Sequence, residues 1–194
     1  MWPFRRGGNA AASGIGDRLG TLATALPVLA EQLDLQHQGT AGVCLRPGAP
    51  KRRKQDGALT LAEVELWVTD ALVWGSEGTG ASFRTAQDSY GYLWVVMKSP
   101  DFAGLVSAAG KVAEAAGRKG WRDRLVVAMF PFKHGQQPAF WIFSFSSARF
   151  YPFVPLEEPQ RDNELELRMA KTMEKALPVD PVLERWRGLW GVPV

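Results

Sequence analysis

The chain is predicted to be an α+β protein, with a single antiparallel sheet of five to six strands and helices packed mainly on one face. Three observations lead there. In Tyr92-Leu93-Trp94-Val95-Val96-Met97-Lys98, Tyr92, Trp94 and Val96 fall on one face and Leu93, Val95 and Met97 on the other, so both faces of this strand need cover. Strand-like segments follow one another through short turns, which joins neighbours as antiparallel pairs. The helical segments each carry one apolar stripe, so each packs by one side.

Taken in order, residues 1–16 read as a flexible segment rich in Gly, Ala, Ser and Asn, and residues 17–194 as one domain. Asp17 is a candidate N-cap for a first helix, with Leu19, Leu22, Leu26, Leu29 and Leu33 on its stripe and Pro27 expected to kink or split it. Residues 41–46 alternate as a short strand, and 47–57 form a loop. Thr60 and Glu63 match a capping box before Leu61, Val64, Trp67, Val68 and Leu72, although the same residues also suit an extended segment. After the glycine-rich run 75–80, a polar strand over 82–87 pairs through Asp88-Ser89-Tyr90-Gly91 with the central strand.

Ser99 and Pro100 suit the start of the next helix, which has Phe102, Leu105, Val106, Ala109, Val112, Ala113 and Ala116 on its stripe and Gly117 and Gly120 at its end. Residues 125–132 and 140–146 read as a hairpin around the loop 134–138. In the second strand the aromatics and serines alternate, which predicts cover on one side only. Pro152 and Pro155 confine residues 150–155 to a sheet edge. Asn163 and Glu166 suggest a capped helix stopped by Pro178, followed by an amphipathic tail with Leu183, Trp186, Leu189 and Trp190.

At 194 residues and 46% hydrophobic, the chain suits one domain with a sizeable core. Eight Trp and ten Phe predict heavy aromatic burial and an aromatic surface patch. A net charge of +3, with Lys51-Arg52-Arg53-Lys54 as its one basic cluster, does not suit nucleic acid. Cys44 is the sole cysteine and His37 and His134 the sole histidines, which excludes an intramolecular disulfide and makes a zinc site improbable; no cofactor is expected. No apolar run approaches the roughly 18 residues of a membrane span, and no signal-peptide core is visible, so the cytoplasm is the expected location. Trp2 and Phe4 beside Arg5 and Arg6 offer a weak contact with the membrane surface.

Catalytic patterns are wanting. Gly14-Ile15-Gly16-Asp17-Arg18-Leu19-Gly20 misses the dinucleotide fingerprint and follows no strand. Cys44 reads as a packing residue, and His134 as a loop histidine. Glu157, Glu158, Glu164 and Glu166 stand where a loop enters a helix and favour its macrodipole. Two groups remain as partner-binding candidates. Asp88, Tyr90, Tyr92, Arg149, Arg161 and Asp162 serve either a partner or turn hydrogen bonds and an internal ion pair. Tyr151, Phe153, Trp186 and Trp190 form either a partner patch or the seat of a tail docked on its own domain.

The element order is similar to the type III secretion chaperone-like fold of YbjN-type domains. The stretch Asp88-Ser89-Tyr90-Gly91-Tyr92-Leu93-Trp94-Val95-Val96 resembles the PspA-associated protein family PspAB. So do Phe150-Tyr151-Pro152-Phe153-Val154-Pro155, Arg161-Asp162-Asn163-Glu164-Leu165-Glu166-Leu167, and the ending from Leu177-Pro178-Val179-Asp180-Pro181 through Trp186 to Trp190-Gly191-Val192-Pro193. The resemblance implies a cytoplasmic accessory protein associated with phage shock protein A, and no reaction. The leading expectation is therefore a non-enzymatic adaptor that binds a PspA-like coiled-coil protein in an envelope-stress response. The alternatives are a ligand-binding regulator or small enzyme with a pocket between sheet and helices, and a peripheral membrane-surface binder.

Overall fold

A computed structural model describes residues 10–48, 59–72 and 80–194. Its elements are α1 (Ala10–Thr24), α2 (Leu26–Leu33), β1 (Leu35–His37), β2 (Thr40–Leu45), α3 (Leu61–Leu72), β3 (Ser82–Gln87), β4 (Leu93–Lys98), α4 (Phe102–Arg118), β5 (Leu125–His134), β6 (Gln137–Ser144), β7 (Arg149–Phe153) and α5 (Asn163–Met173). Short 3-10 turns span Arg122–Arg124 and Leu183–Arg185. Trp2, Phe4, the basic run 51–54 and most of the glycine-rich run 75–80 lie outside the described residues.

The strands make one antiparallel sheet in the order β3-β4-β2-β5-β6-β7, with β1 also on β5. It has seven strands where five or six were expected, because the ten-residue β5 seats two short strands along one side. β2 pairs with its beginning, Gly42 opposite Met129 through Leu45 opposite Leu125, and β1 with its end, Leu35 opposite His134 through His37 opposite Phe132. Gly39, at φ 66°, turns the chain between them. β4 is paired on both sides along its whole length. As its alternation requires, Leu93, Val95 and Met97 enter one buried cluster while Trp94 and Val96 enter another.

The first cluster lies under the helices, with α4 contributing Phe102, Leu105, Val106, Val112 and a row of alanines. Its cap differs from the sequence reading. Asp101 is the N-cap, its carboxylate accepting from Ala103 N at 3.1 Å and Gly104 N at 3.0 Å, while the Ser99 hydroxyl accepts from Asp101 N. A carboxylate takes two orphan donors where a serine oxygen takes one, and this moves the helix start two residues on. The ambiguous segment is the helix α3, closed by the capping box: Thr60 N donates to Glu63 Oε2 at 2.9 Å and Glu63 N to Thr60 Oγ1 at 3.3 Å. The Thr60 N–H and hydroxyl hold the Glu63 carboxyl below its usual range.

Pro27 divides the first helical stretch, α1 ending at Thr24 and α2 resuming at Leu26. Against expectation, α1 starts at Ala10, which places Asp17 inside the helix and not at its cap. Gly16 and Gly110 let α1 and α4 come close. A Cβ on Gly16 would sit 3.3 Å from Glu114 Oε1, and one on Gly110 would sit 4.0 Å from the Gly16 Cα. That contact offsets the roughly 1 kcal/mol which glycine costs a helix interior. The run 14–20 is thus helical.

A second correction concerns β6. One-sided cover was expected, yet Trp141 and Phe143 are buried in the first cluster and Ile142 in the second, so the strand is covered on both faces. Among the described residues, no α-helix contributes a fully buried residue to the second cluster.

Replacing the α4 cap by Asp101→Ala is expected to lower unfolding free energy by about 1 kcal/mol in urea titrations, whereas Pro100→Ala leaves it nearly unchanged. Equal effects would contradict the cap assignment.

Candidate functional site

The second face of the sheet is covered by the chain's own tail. Main-chain bonds Phe150 N to Pro178 O (2.9 Å) and Asp180 N to Phe150 O (2.7 Å) lay residues 178–180 along the free edge of β7. Arg149, at the start of β7, adds a bond from Nη1 to Val179 O at 3.2 Å. After the Leu183–Arg185 turn, Trp186 stacks on Tyr151 at 6.4 Å and 18°, and its Nε1 donates to the Asp180 carbonyl at 3.0 Å. The strap 186–194 then crosses the strands. Trp190 meets Phe153 edge to face at 5.1 Å, and Arg84 of β3 donates to the Pro193 carbonyl at 2.6 Å. Val194 and the Trp94 ring occupy the space that a side chain at Gly42 would need.

A buried clasp ties this strap to the sheet. The Glu166 carboxylate is almost fully buried at the base of α5, where it accepts from Val154 N at 2.8 Å and from Arg161 Nε at 2.9 and 2.8 Å. Arg161 extends Nη1 to the Trp186 carbonyl at 3.0 Å and lies over the Phe153 ring at 5.1 Å. Burial pushes the Glu166 carboxyl above its usual range, and Arg161 and the Val154 N–H pull it partly back. Glu166 stands in the first turn of α5, as the sequence suggested, but its carboxylate is turned into the interior onto Arg161 and Val154 N. Asp162 is the N-cap in place of Asn163, accepting from Leu165 N at 2.9 Å.

Beneath the strap lies a cavity of about 460 Å³. Its lining includes Cys44 and Trp94, which face each other across β2 and β4, with Val126 and Val127 beside them. Tyr90, Tyr92 and Asp88 close one end, and Glu158, Arg187, Leu189 and Trp190 the other parts of the wall. Asp88 holds its turn rigidly: Oδ1 accepts from Tyr90 N (3.0 Å) and Tyr92 N (2.9 Å), and Oδ2 from Trp94 Nε1 (2.9 Å). This presents Tyr90 to solvent at 73% exposure. Burial, then the Asp88 charge, push the Cys44 thiol far up, so it stays protonated. Burial also raises the Tyr151 phenol, against the Arg187 main chain and the Arg161 charge.

The two candidate groups thus partly merge. Asp88, Tyr90, Tyr92 and Trp190 share the cavity; Tyr151, Phe153 and Trp186 lie in the buried cluster below the strap, anchored through Arg161. Arg149 and Asp162 stand apart, one at the start of β7 and the other at the α5 cap. The tail is docked on its own domain. The cavity lies between sheet and strap, whereas the alternative reading of a ligand-binding regulator or small enzyme placed a pocket between sheet and helices. His134 lies at the end of β5, where its Nδ1–H donates to Leu33 O at 2.9 Å and fixes the ring. Sequence reasoning missed Cys44, Trp94, Val126, Val127, Glu158, Arg187 and Leu189 as lining; the available signal was the apolar second face of β4, which the expected one-sided helices leave uncovered.

Arg161→Met should cost about 3–5 kcal/mol at neutral pH, because it strands a buried carboxylate. Without the guanidinium the folded-state pKa of Glu166 rises further, so the folded variant holds a proton that the unfolded chain releases. The deficit then narrows as pH falls toward the ordinary carboxylate range. Urea unfolding of both chains at pH 7 and pH 5 measures this, and a pH-independent deficit contradicts it. Gly42→Val overpacks the seat of Val194 at about 1–3 kcal/mol; trypsin should then cut at Arg187 sooner than in the parent chain.

Neither proteins of curated function nor solved structures yielded a match to this chain. The described residues contain no helix long and apolar enough to cross a membrane. The sequence pattern of the family PspAB, PspA associated protein B, matches residues 6–194. With nearly the whole length matched, this chain belongs to the PspAB family.

Proposed function

We propose that the chain is a non-catalytic accessory protein that binds a PspA-like coiled-coil partner in an envelope-stress response of the phage-shock type. The family's association with PspA supports the system. The surface is supported by one observation: Tyr90 is largely exposed on a turn whose backbone is already fixed by Asp88. A preordered, exposed aromatic loses little entropy on binding, which is the property of an interface anchor. In this reading Trp186, buried and stacked on Tyr151, supports the fold and Tyr90 makes the contact. In this reading the protein works on the cytoplasmic side and reaches the membrane through its partner.

The purified chain should bind the PspA homologue of its own cell in calorimetry, and Tyr90→Ala should weaken that binding about tenfold at unchanged melting temperature. No binding by the parent chain, or equal binding by the variant, overturns the proposal.

A further inference from the structure

The cavity under the strap has a composition that the adaptor reading does not use. Four aromatic residues line it, from three parts of the chain: Tyr90 from the turn, Tyr92 and Trp94 at the start of β4, and Trp190 from the strap. Its charged lining is Asp88, Glu158 and Arg187, an excess of one negative charge. Asp88 accepts only from uncharged N–H groups, and among the described residues neither it nor Glu158 enters an ion pair. Glu158 and Arg187 are both exposed, so water screens each of them, and the half-buried Asp88 is the charge that acts most directly on the rings.

Aromatic faces carry negative quadrupole potential and attract cations that are weakly hydrated, and a carboxylate nearby strengthens the attraction. We infer that this cavity binds a small organic cation, a quaternary or alkylated ammonium, with its charged head against the aromatic rings and Asp88 and its apolar part along Val126, Val127 and Leu189. The volume of about 460 Å³ lies within the roughly 300–1,000 Å³ of small-molecule pockets. The chemistry of the lining disfavours the other charged classes. An anion would face the Asp88 carboxylate and the negative faces of the rings, with only the exposed Arg187 to attract it, and among the described residues no cluster of three His, Cys, Asp or Glu offers a metal its ligands.

The test uses the purified full chain and two probes of nearly equal shape: choline, and its uncharged carbon isostere 3,3-dimethylbutan-1-ol. Calorimetry should show saturable binding of choline, at least about tenfold tighter than the isostere. Tyr90→Ala should weaken it about fivefold, and Glu158→Gln by a smaller factor. Both residues are exposed, so the fold is retained and melting temperatures stay level. In NMR spectra the indole N–H signals of Trp94 and Trp190 should shift on titration, ahead of those of Trp67 and Trp141 in the helix-side core. Absence of saturable choline binding at low salt, equal affinity for the isostere, indifference to Tyr90→Ala, or shifts confined to other indoles would each overturn the inference. Because no partner protein is present, its failure is separate from a failure of the adaptor proposal.

Discussion

A sheet that is apolar on both faces must be covered twice, and among the described residues the helices bury their large side chains on only one side. α1 to α5 bury Leu93, Val95, Met97, Phe130 and Trp141 on that side. Trp94, Val96, Met129, Ile142 and Tyr151 remain on the other, a set too large to leave in water. The strap 186–194 answers this, and much of the chain beyond β7 can be understood as what brings it back over the strands. The run along β7, the turn at Leu183–Arg185 and the stacked Trp186 are successive steps of that return.

A strap without regular secondary structure brings few main-chain hydrogen bonds of its own, so side chains must hold it. Arg161 does so from a half-buried position, joining the buried Glu166, the Trp186 carbonyl and the Phe153 ring. Placing a carboxylate under α5 is costly, which its raised pKa records; the guanidinium and the Val154 N–H make that burial tolerable. At the far end, Arg84 and Gly42 receive Pro193 and Val194. Gly42 is an unusual residue for an inner strand, where glycine weakens pairing, and the close approach of Val194 explains it.

Covering a twisted sheet with an irregular strap does not fill all the space between them. The cavity is the residue of that mismatch, and what lines it is aromatic because both surfaces are. Tyr90 and the Asp88 turn stand at its mouth, so the same few residues bear on the partner surface and on the cavity. The cavity's composition and the turn's rigidity are separate properties, one a matter of charge and rings, the other of backbone entropy.

Patterns set by the nearest neighbours in the chain were legible from the sequence alone. The two-residue alternation of β4, the three- and four-residue spacing of α4, the break at Pro27, the capping box at Thr60 and Glu63 and the edge position of β7 all depend on local backbone geometry. Family membership was legible as well, because it lies in ordered motifs. The α1 start, the burial of Glu166, the role of Gly42 and the strap's path were settled only by the tertiary structure. Each depends on what stands opposite in space: Gly16 against Gly110, Glu166 against Arg161, Gly42 against Val194. Whether an acid neutralises a helix dipole or enters the interior, and whether a tryptophan tail awaits a partner or closes a core, is decided by long-range contacts that residue order does not encode locally.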